Sequence, residues 1–308
     1  MTDWTIIAVR LGLYVSLSLV FGLAAFGLYG IRTGDRTEAL PLRSWLVVSS
    51  LAALLLSFGW IALMASSMAG TPVWPIDWAS VEALLAGSSI GLAWEVRMAA
   101  LVLALVAGLF VKGRTSALAI VATASGVALS TLAWIGHGAV DEGLPGWAHL
   151  IADILHLLAA GAWVGALAGL ILLVLRPASR VDAAHLELTH SALHGFGTIG
   201  TIVVVTIVLS GLVNSWLLVG IDNLSSLGTT LYGLLLLAKI ALFGAMLCFA
   251  ALNRFRLTPA FEHAIATGHH TRAASALRRS LAAETACIIV ILLVVAWLGT
   301  LSPPASGG

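Results

Sequence analysis

Eight uninterrupted apolar runs dominate the sequence: 5–29, 45–69, 90–111, 116–135, 147–175, 191–219, 231–252 and 281–301. A helix rises about 1.5 Å per residue, so about 20 apolar residues cross a hydrocarbon core ~30 Å thick. Each run is long enough to do so. Inside a bilayer the backbone N–H and C=O groups find no water, and a helix satisfies them within its own segment. The runs therefore predict an all-α, polytopic membrane protein, a bundle of eight transmembrane helices forming one integral membrane domain over 1–308. The first run follows Asp3 rather than a basic segment and exceeds the length of a signal-peptide core, so it reads as a retained helix.

Only 9% of the residues are charged, against roughly 25% in soluble domains, which leaves no room for a large extramembrane catalytic domain. The formal net charge is +1 with no basic stripe, so membrane lipid, and no nucleic acid, is the expected surrounding. Cys248 and Cys287 lie within apolar runs and read as small buried hydrophobes rather than a disulfide or CxxC pair.

The connections differ sharply in charge. Taken alternately, one set holds Arg32, Arg36, Arg43, Lys112, Arg114, Arg176, Arg180, Arg254, Arg256, Arg272, Arg278 and Arg279, and the other holds no Lys or Arg. The positive-inside rule makes the first set cytoplasmic and places the N-terminus and C-terminus in the periplasm. Trp74, Trp78, Trp147 and Trp216 fall near the outer ends of spans, where an aromatic belt forms. Residues 79–86 make a short stretch able to lie along the interface, and 253–280 is the longest polar connection.

Polar residues inside the spans carry the chemistry. His149, Asp153 and His156 are four and three positions apart in the fifth run, so they stack on one helix face. Two imidazoles and a carboxylate at that spacing can bind a transition metal, relay protons or hold a haem; the structural alternative is interhelical hydrogen bonding. His137, Met64, Met68 and Met98 share the outer depth. Thioethers suit Cu(I) and imidazoles also accept Cu(II), so copper fits this donor mixture best. A second group, His185, His190 and His194, stands at the inner end, with His190 and His194 as a candidate inner site; His263, His269 and His270 lie in the last inner loop.

Arg10, Glu95, Arg97, Lys239 and Glu284 also fall in spans, where a charge costs at least ~2.5 kcal/mol unless paired or hydrated. Glu95, Arg97, Lys239 and Glu284 are expected to form a charge network. Lys239 needs a carboxylate, and the packing of consecutive antiparallel helices favours Glu284 over Asp153.

Taken in order, GH at 136–137, ADILHLLAAGAWVGAL at 152–167, SGLVN at 210–214, TTLYGLLLLAKIALF at 229–243, NRFRLTP at 253–259 and LRRSLAAE at 277–284 resemble the copper resistance protein D (CopD) family of bacterial inner-membrane proteins, most strongly over 136–304. The resemblance implies copper handling in the inner membrane beside a periplasmic CopC-type copper-binding partner, with import favoured and no enzyme activity. It puts weight on His137, Asp153, His156, Asn214, Lys239, Asn253, Arg254, Arg278, Arg279 and Glu284. No GxxxxGK[ST] motif is present, so any drive comes from ligand exchange or ion gradients. The alternative is a membrane redox protein in which histidines of facing helices hold b-type haem; a Soret band at stoichiometric haem would mark it.

The charge segregation generates a topological prediction. Alkaline phosphatase fused at Gly308 is expected to be active, and the same enzyme inserted in 253–280 inactive; activity from the inner-loop fusion would contradict the orientation.

Overall fold

The computed structural model describes residues 4–31, 40–112, 114–135, 143–176, 183–220, 223–267 and 270–304. Among these residues the regular structure is helical and includes eight helices long and apolar enough to cross a membrane. In chain order they are α1 (Trp4–Tyr29), α2 (Leu42–Ala69), the short α3 (Trp78–Leu85), α4 (Ser89–Leu109), α5 (Thr115–Ser130) and α6 (Gly143–Val174). There follow α7 (Ala183–Val219), α8 (Leu231–Leu252), the short α9 (Thr258–Ala266) and α10 (His270–Leu298). A 3₁₀ segment, Thr131–Ile135, extends α5, and a π-helical turn, Asn253–Leu257, joins α8 to α9.

Starts and stops follow local chemistry. Asp77 caps α3 by accepting hydrogen bonds from the Ala79 and Ser80 amides and, at 2.6 Å, from the Ser80 hydroxyl. Those Ser80 bonds hold its carboxyl below the usual range. Ser88 and Thr230 cap α4 and α8 through the amides of Gly91 and Gly233. Three spans begin four or more residues before their apolar runs: α7 at Ala183 rather than 191, α10 at His270 rather than 281, and α6 at Gly143 rather than 147. The polar connection 253–280 is correspondingly largely helical.

The centre of the bundle is α1, which packs against α2, α5, α6 and α10. Its contact with α6 is backbone to backbone. A Cβ at Gly22 would collide with the Gly161 carbonyl oxygen and the Gly165 backbone, and one at Gly169 would collide with the Phe26 ring. Gly161, Gly165 and Gly169 are spaced by four on one face of α6, the small-xxx-small pattern that lets membrane helices approach closely.

The bundle has two chemically different ends. Trp4 at the start of α1 meets Trp297 at the end of α10 with ring centroids 5.6 Å apart, so both chain ends share one side, called here the termini side. The opposite, arginine side carries Arg254 and Arg278. There Arg278 Nε donates to the Val174 carbonyl at 2.6 Å, and Arg176 Nη1 donates to His185 Nδ1 at 2.9 Å while His185 Nε2–H donates to the Leu173 carbonyl. These bonds satisfy the carbonyls that end α6, which makes His185 a structural tie. The four belt tryptophans, Trp74, Trp78, Trp147 and Trp216, are all exposed. Cys248 is exposed as well, which corrects the expectation of a buried sulfur there; Cys287 is half-buried.

The α1–α6 crossing yields a stability prediction. Gly165→Leu should destabilise the bundle by about 3 kcal/mol or more, the upper range for overpacking. Gly59→Ala, where a Cβ meets nothing within 4 Å, should not. Thermal unfolding in detergent checks both.

Candidate functional site

The face of α6 turned away from the glycines carries His149, Asp153 and His156. These three line a cavity of about 160 Å³ toward the termini side, together with Arg10 and Tyr14 of α1, Asn214 of α7, and Tyr232 and Lys239 of α8. Helical spacing puts the column on one face, and the glycine face behind it fixes the direction in which that column points.

The hydrogen bonds give each group a state. Ser210 Oγ has one proton and donates it to the Thr206 carbonyl at 2.6 Å. At its 3.0 Å contact with His156 Nδ1 the hydroxyl oxygen therefore accepts. His156 thus carries its proton on Nδ1 and keeps the Nε2 lone pair for another partner. Asp153 Oδ1 accepts from Asn214 Nδ2 at 2.6 Å, and its Oδ2 lies 3.9 Å from His149 Nε2. Asn214 Oδ1 is buried and has no hydrogen-bond partner in the structure. A carboxylate, a free imidazole nitrogen and an orphaned amide oxygen are acceptors, and such a set attracts a cation.

Lys239 and Arg10 bring positive charge to the cavity that holds this set. Lys239 interacts electrostatically with Asp153 and His156. This corrects the expected Lys239–Glu284 pair. Glu284 Oε1 instead accepts from Trp163 Nε1 at 3.0 Å, and its Oε2 accepts from Asn253 Nδ2 at 2.9 Å. Consecutive helices do pack here, α8 against α10, but the two residues lie along them at different cavities. The wider charge network also dissolves. Arg97 is fully buried and donates to Thr131 Oγ1 at 2.8 Å and to the Thr131 carbonyl at 3.4 Å, with its guanidinium 5.9 Å from the centre of the Trp60 ring. Glu95, two positions away on α4, is exposed.

The methionines do not join the site. Met68 is exposed, Met64 packs into the apolar contact of α1, α2 and α4, and neither they nor Met98 line the polar cavity. The reason is lateral position: α1 packs against α2 on one side and α6 on the other, so equal depth does not bring α2 to α6. His137 and His269 lie outside the described residues. Among those described, no three His, Cys, Asp or Glu side chains gather into a ready-made metal cage.

On the arginine side a vestibule of about 560 Å³ is lined by His190, His194, Glu262, Arg254, Asn253 and Glu284, among others. His190 Nε2 lies 3.4 Å from Glu262 Oε2, and the His190 and His194 rings are 6.4 Å apart. Arg254 Nη1 donates to the Gly197 carbonyl and to Thr201 Oγ1. Bis-histidine haem needs imidazoles on facing helices. Among the described residues, each of the two cavities takes its histidines from a single helix, α6 for one and α7 for the other.

Sequence reasoning missed Asn214's orphaned oxygen, Ser210 behind His156, and Tyr232. The SGLVN run contained the first two but gave no sign of their partners. It also missed the glycine triad of α6, which the spacing within GAWVGALAG displays.

Comparison with known proteins follows the same lines. A family model described as copper resistance protein D-like, N-terminal domain, matches residues 1–147, and one described as copper resistance protein D matches 190–298. The chain is 43% identical to Copper resistance protein D of Pseudomonas syringae pv. tomato over 100% of both chains. It is 28% identical to Inner membrane protein YebZ of Escherichia coli (strain K12), over 98% of this chain and 100% of that one. Copper transport protein CutJ of Bacillus subtilis (strain 168) is 33% identical over 174 residues, 56% of this chain and 28% of that protein. No solved structure matches.

The shared cavity of Lys239 and Asp153 predicts a specific rescue. Lys239→Met strands a buried carboxylate and should lower stability by about 3 kcal/mol. Adding Asp153→Asn should recover most of that loss, and adding Glu284→Gln should recover none; thermal unfolding of the three proteins decides between the two partners.

Proposed function

The chain belongs to the copper resistance protein D family, and from that premise we propose that it carries copper ions across the bacterial inner membrane, from the periplasm at the termini side to the cytoplasm at the arginine side. The observation that carries the reading is the meeting of Asp153, the free Nε2 of His156 and the orphaned Asn214 Oδ1 in one membrane-embedded cavity.

In this reading copper arrives from a CopC-type periplasmic donor and exchanges onto those three groups, with His149 beside them. Imidazole, carboxylate and amide oxygen without a thioether suit Cu(II) better than Cu(I). Lys239 holds the charge of Asp153 while copper is absent and competes with the arriving cation for it. That competition keeps binding weak. A conducting site must bind firmly enough to admit an ion and loosely enough to release it. His190, His194 and Glu262 supply imidazole and carboxylate groups where the ion leaves.

Copper uptake into proteoliposomes tests this. His156→Gln should slow initial uptake at least about tenfold, as loss of a ligand bond worth ~1.5–3 kcal/mol implies. The Asp153→Asn, Lys239→Met double variant, which removes both charges together, should fold and show the same defect. Full uptake by both folded variants would remove these residues from the path. A stoichiometric Soret band in the purified protein would instead support a redox role.

A further inference from the structure

Three cavities succeed one another along α6. The polar cavity and a neighbouring crevice of about 310 Å³ share His156, Gly211, Ser215, Leu236 and Lys239. The crevice lies chiefly between α7 and α8, which pack on α6 and α10 respectively and hardly touch each other. Beyond His156, Ser215 and Lys239 its lining is apolar, with Phe243, Met246 and Ile291 among the residues facing it. Its other end meets the arginine-side vestibule at one residue common to both linings, Trp163.

Trp163 is held in a distinctive way. It is 3% exposed, its indole N–H donates to Glu284 Oε1 at 3.0 Å, and the Phe196 ring meets it edge-on with centroids 5.6 Å apart. Glu284, 1% exposed, is fixed on its other oxygen by Asn253 Nδ2 at 2.9 Å. Asn253 is the first residue of the π-helical turn, a break in the helix ladder of the kind that recurs at functional sites. A tryptophan in a close-packed core has no free volume to move into. This one has a 310 Å³ cavity on one side and a 560 Å³ cavity on the other.

We propose that Trp163 is the barrier between the mid-membrane crevice and the arginine-side vestibule, and that Glu284 is the positioning residue that latches it shut. The proposal rests on the copper-path reading, since a barrier presupposes a path. The indole separates the two cavities, Phe196 backs it, and Asn253 orients the carboxylate that holds it. The latch consists of one hydrogen bond, so it is reversible. A cation in the vestibule draws on the same carboxylate as the indole N–H, which couples opening to the presence of an ion at that end.

The test reads accessibility and uses no copper. In a Cys248→Ser, Cys287→Ser background, Phe243→Cys places a thiol in the crevice, and a membrane-impermeant maleimide is applied to vesicles exposing the arginine side. With Trp163 intact, labelling should be slow. Trp163→Ala should speed it at least about tenfold, and Trp163→Phe, which keeps an aromatic ring but removes the indole N–H, and Glu284→Gln, which weakens the acceptor, by about threefold to tenfold, the shift that one lost or weakened hydrogen bond gives. Folding of each variant is checked by gel filtration; should Trp163→Ala fail to fold, the two milder variants decide. Unchanged labelling in folded Trp163→Ala, or in both milder variants, overturns the proposal. Because copper is absent, the barrier can fail while uptake still depends on His156, and uptake can fail while the barrier stands.

Discussion

The backbone contact between α1 and α6 decides where the other helices sit. In lipid no hydrophobic force drives helices together, so association depends on close dispersion contact. Gly22 against Gly161 and Gly165 lets the two backbones approach to a separation that no side chain would permit. Fixing α1 on α6 also fixes α6 in rotation. Its glycine face is committed inward, so His149, Asp153, His156 and Trp163 must look toward α7, α8 and α10. The seam is thus a consequence of which face the glycines occupy.

Charged groups in the spans resolve into two kinds. Arg97 and Glu284 are fully buried and meet neutral partners, Thr131 and the Trp60 face for one, with Arg97 Nη1 left without a hydrogen bond, and Trp163 and Asn253 for the other. Their carbonyl, hydroxyl and N–H neighbours stabilise a charge without cancelling it, which suits groups that hold helices or rings in place. Asp153 and Lys239 instead share a cavity with Asn214 Oδ1, an acceptor that has no partner, and with His156, whose Nδ1 is committed to Ser210. An incompletely satisfied polar site is costly inside a bilayer. Here the unpaired Asn214 oxygen shares one cavity with two oppositely charged residues, Asp153 and Lys239.

The fold was legible in the sequence because the apolar runs measure the bilayer directly, and the 149–153–156 spacing declares a helix face without any tertiary knowledge. The starts of α7 and α10 were not legible that way, since His185, Thr189 and Arg278 continue the helices outside the apolar run. Depth was readable and azimuth was not. Met64, Met68 and Met98 were expected at the depth of His149 but stand on α2 and α4, outside the lining of its cavity, and nothing in their own segments says so. The partner of Lys239 failed for a related reason: consecutive helices pack, yet which carboxylate a lysine meets depends on height along the axis and on the face turned inward. The glycine triad carried that missing rotational information in plain spacing.

Packing is uneven across the bundle, and the unevenness falls where a path would need it. The helices around α1 interlock, whereas α8 is the least buried of the spans and α7 and α8 scarcely touch. Between the two polar cavities lies an apolar stretch faced by Phe243, Met246 and Ile291, in which an unsolvated ion would be strongly disfavoured. An ion therefore passes only if the polar groups at either end are brought closer or water fills the crevice with it. The first change would shift α7 and α8 against α6, and these are the spans with the fewest contacts to lose. On the proposed path the closely packed half would hold Asp153 and His156 in register, and the loosely packed half, carrying Lys239 and Asn214, has the fewer contacts to oppose a shift.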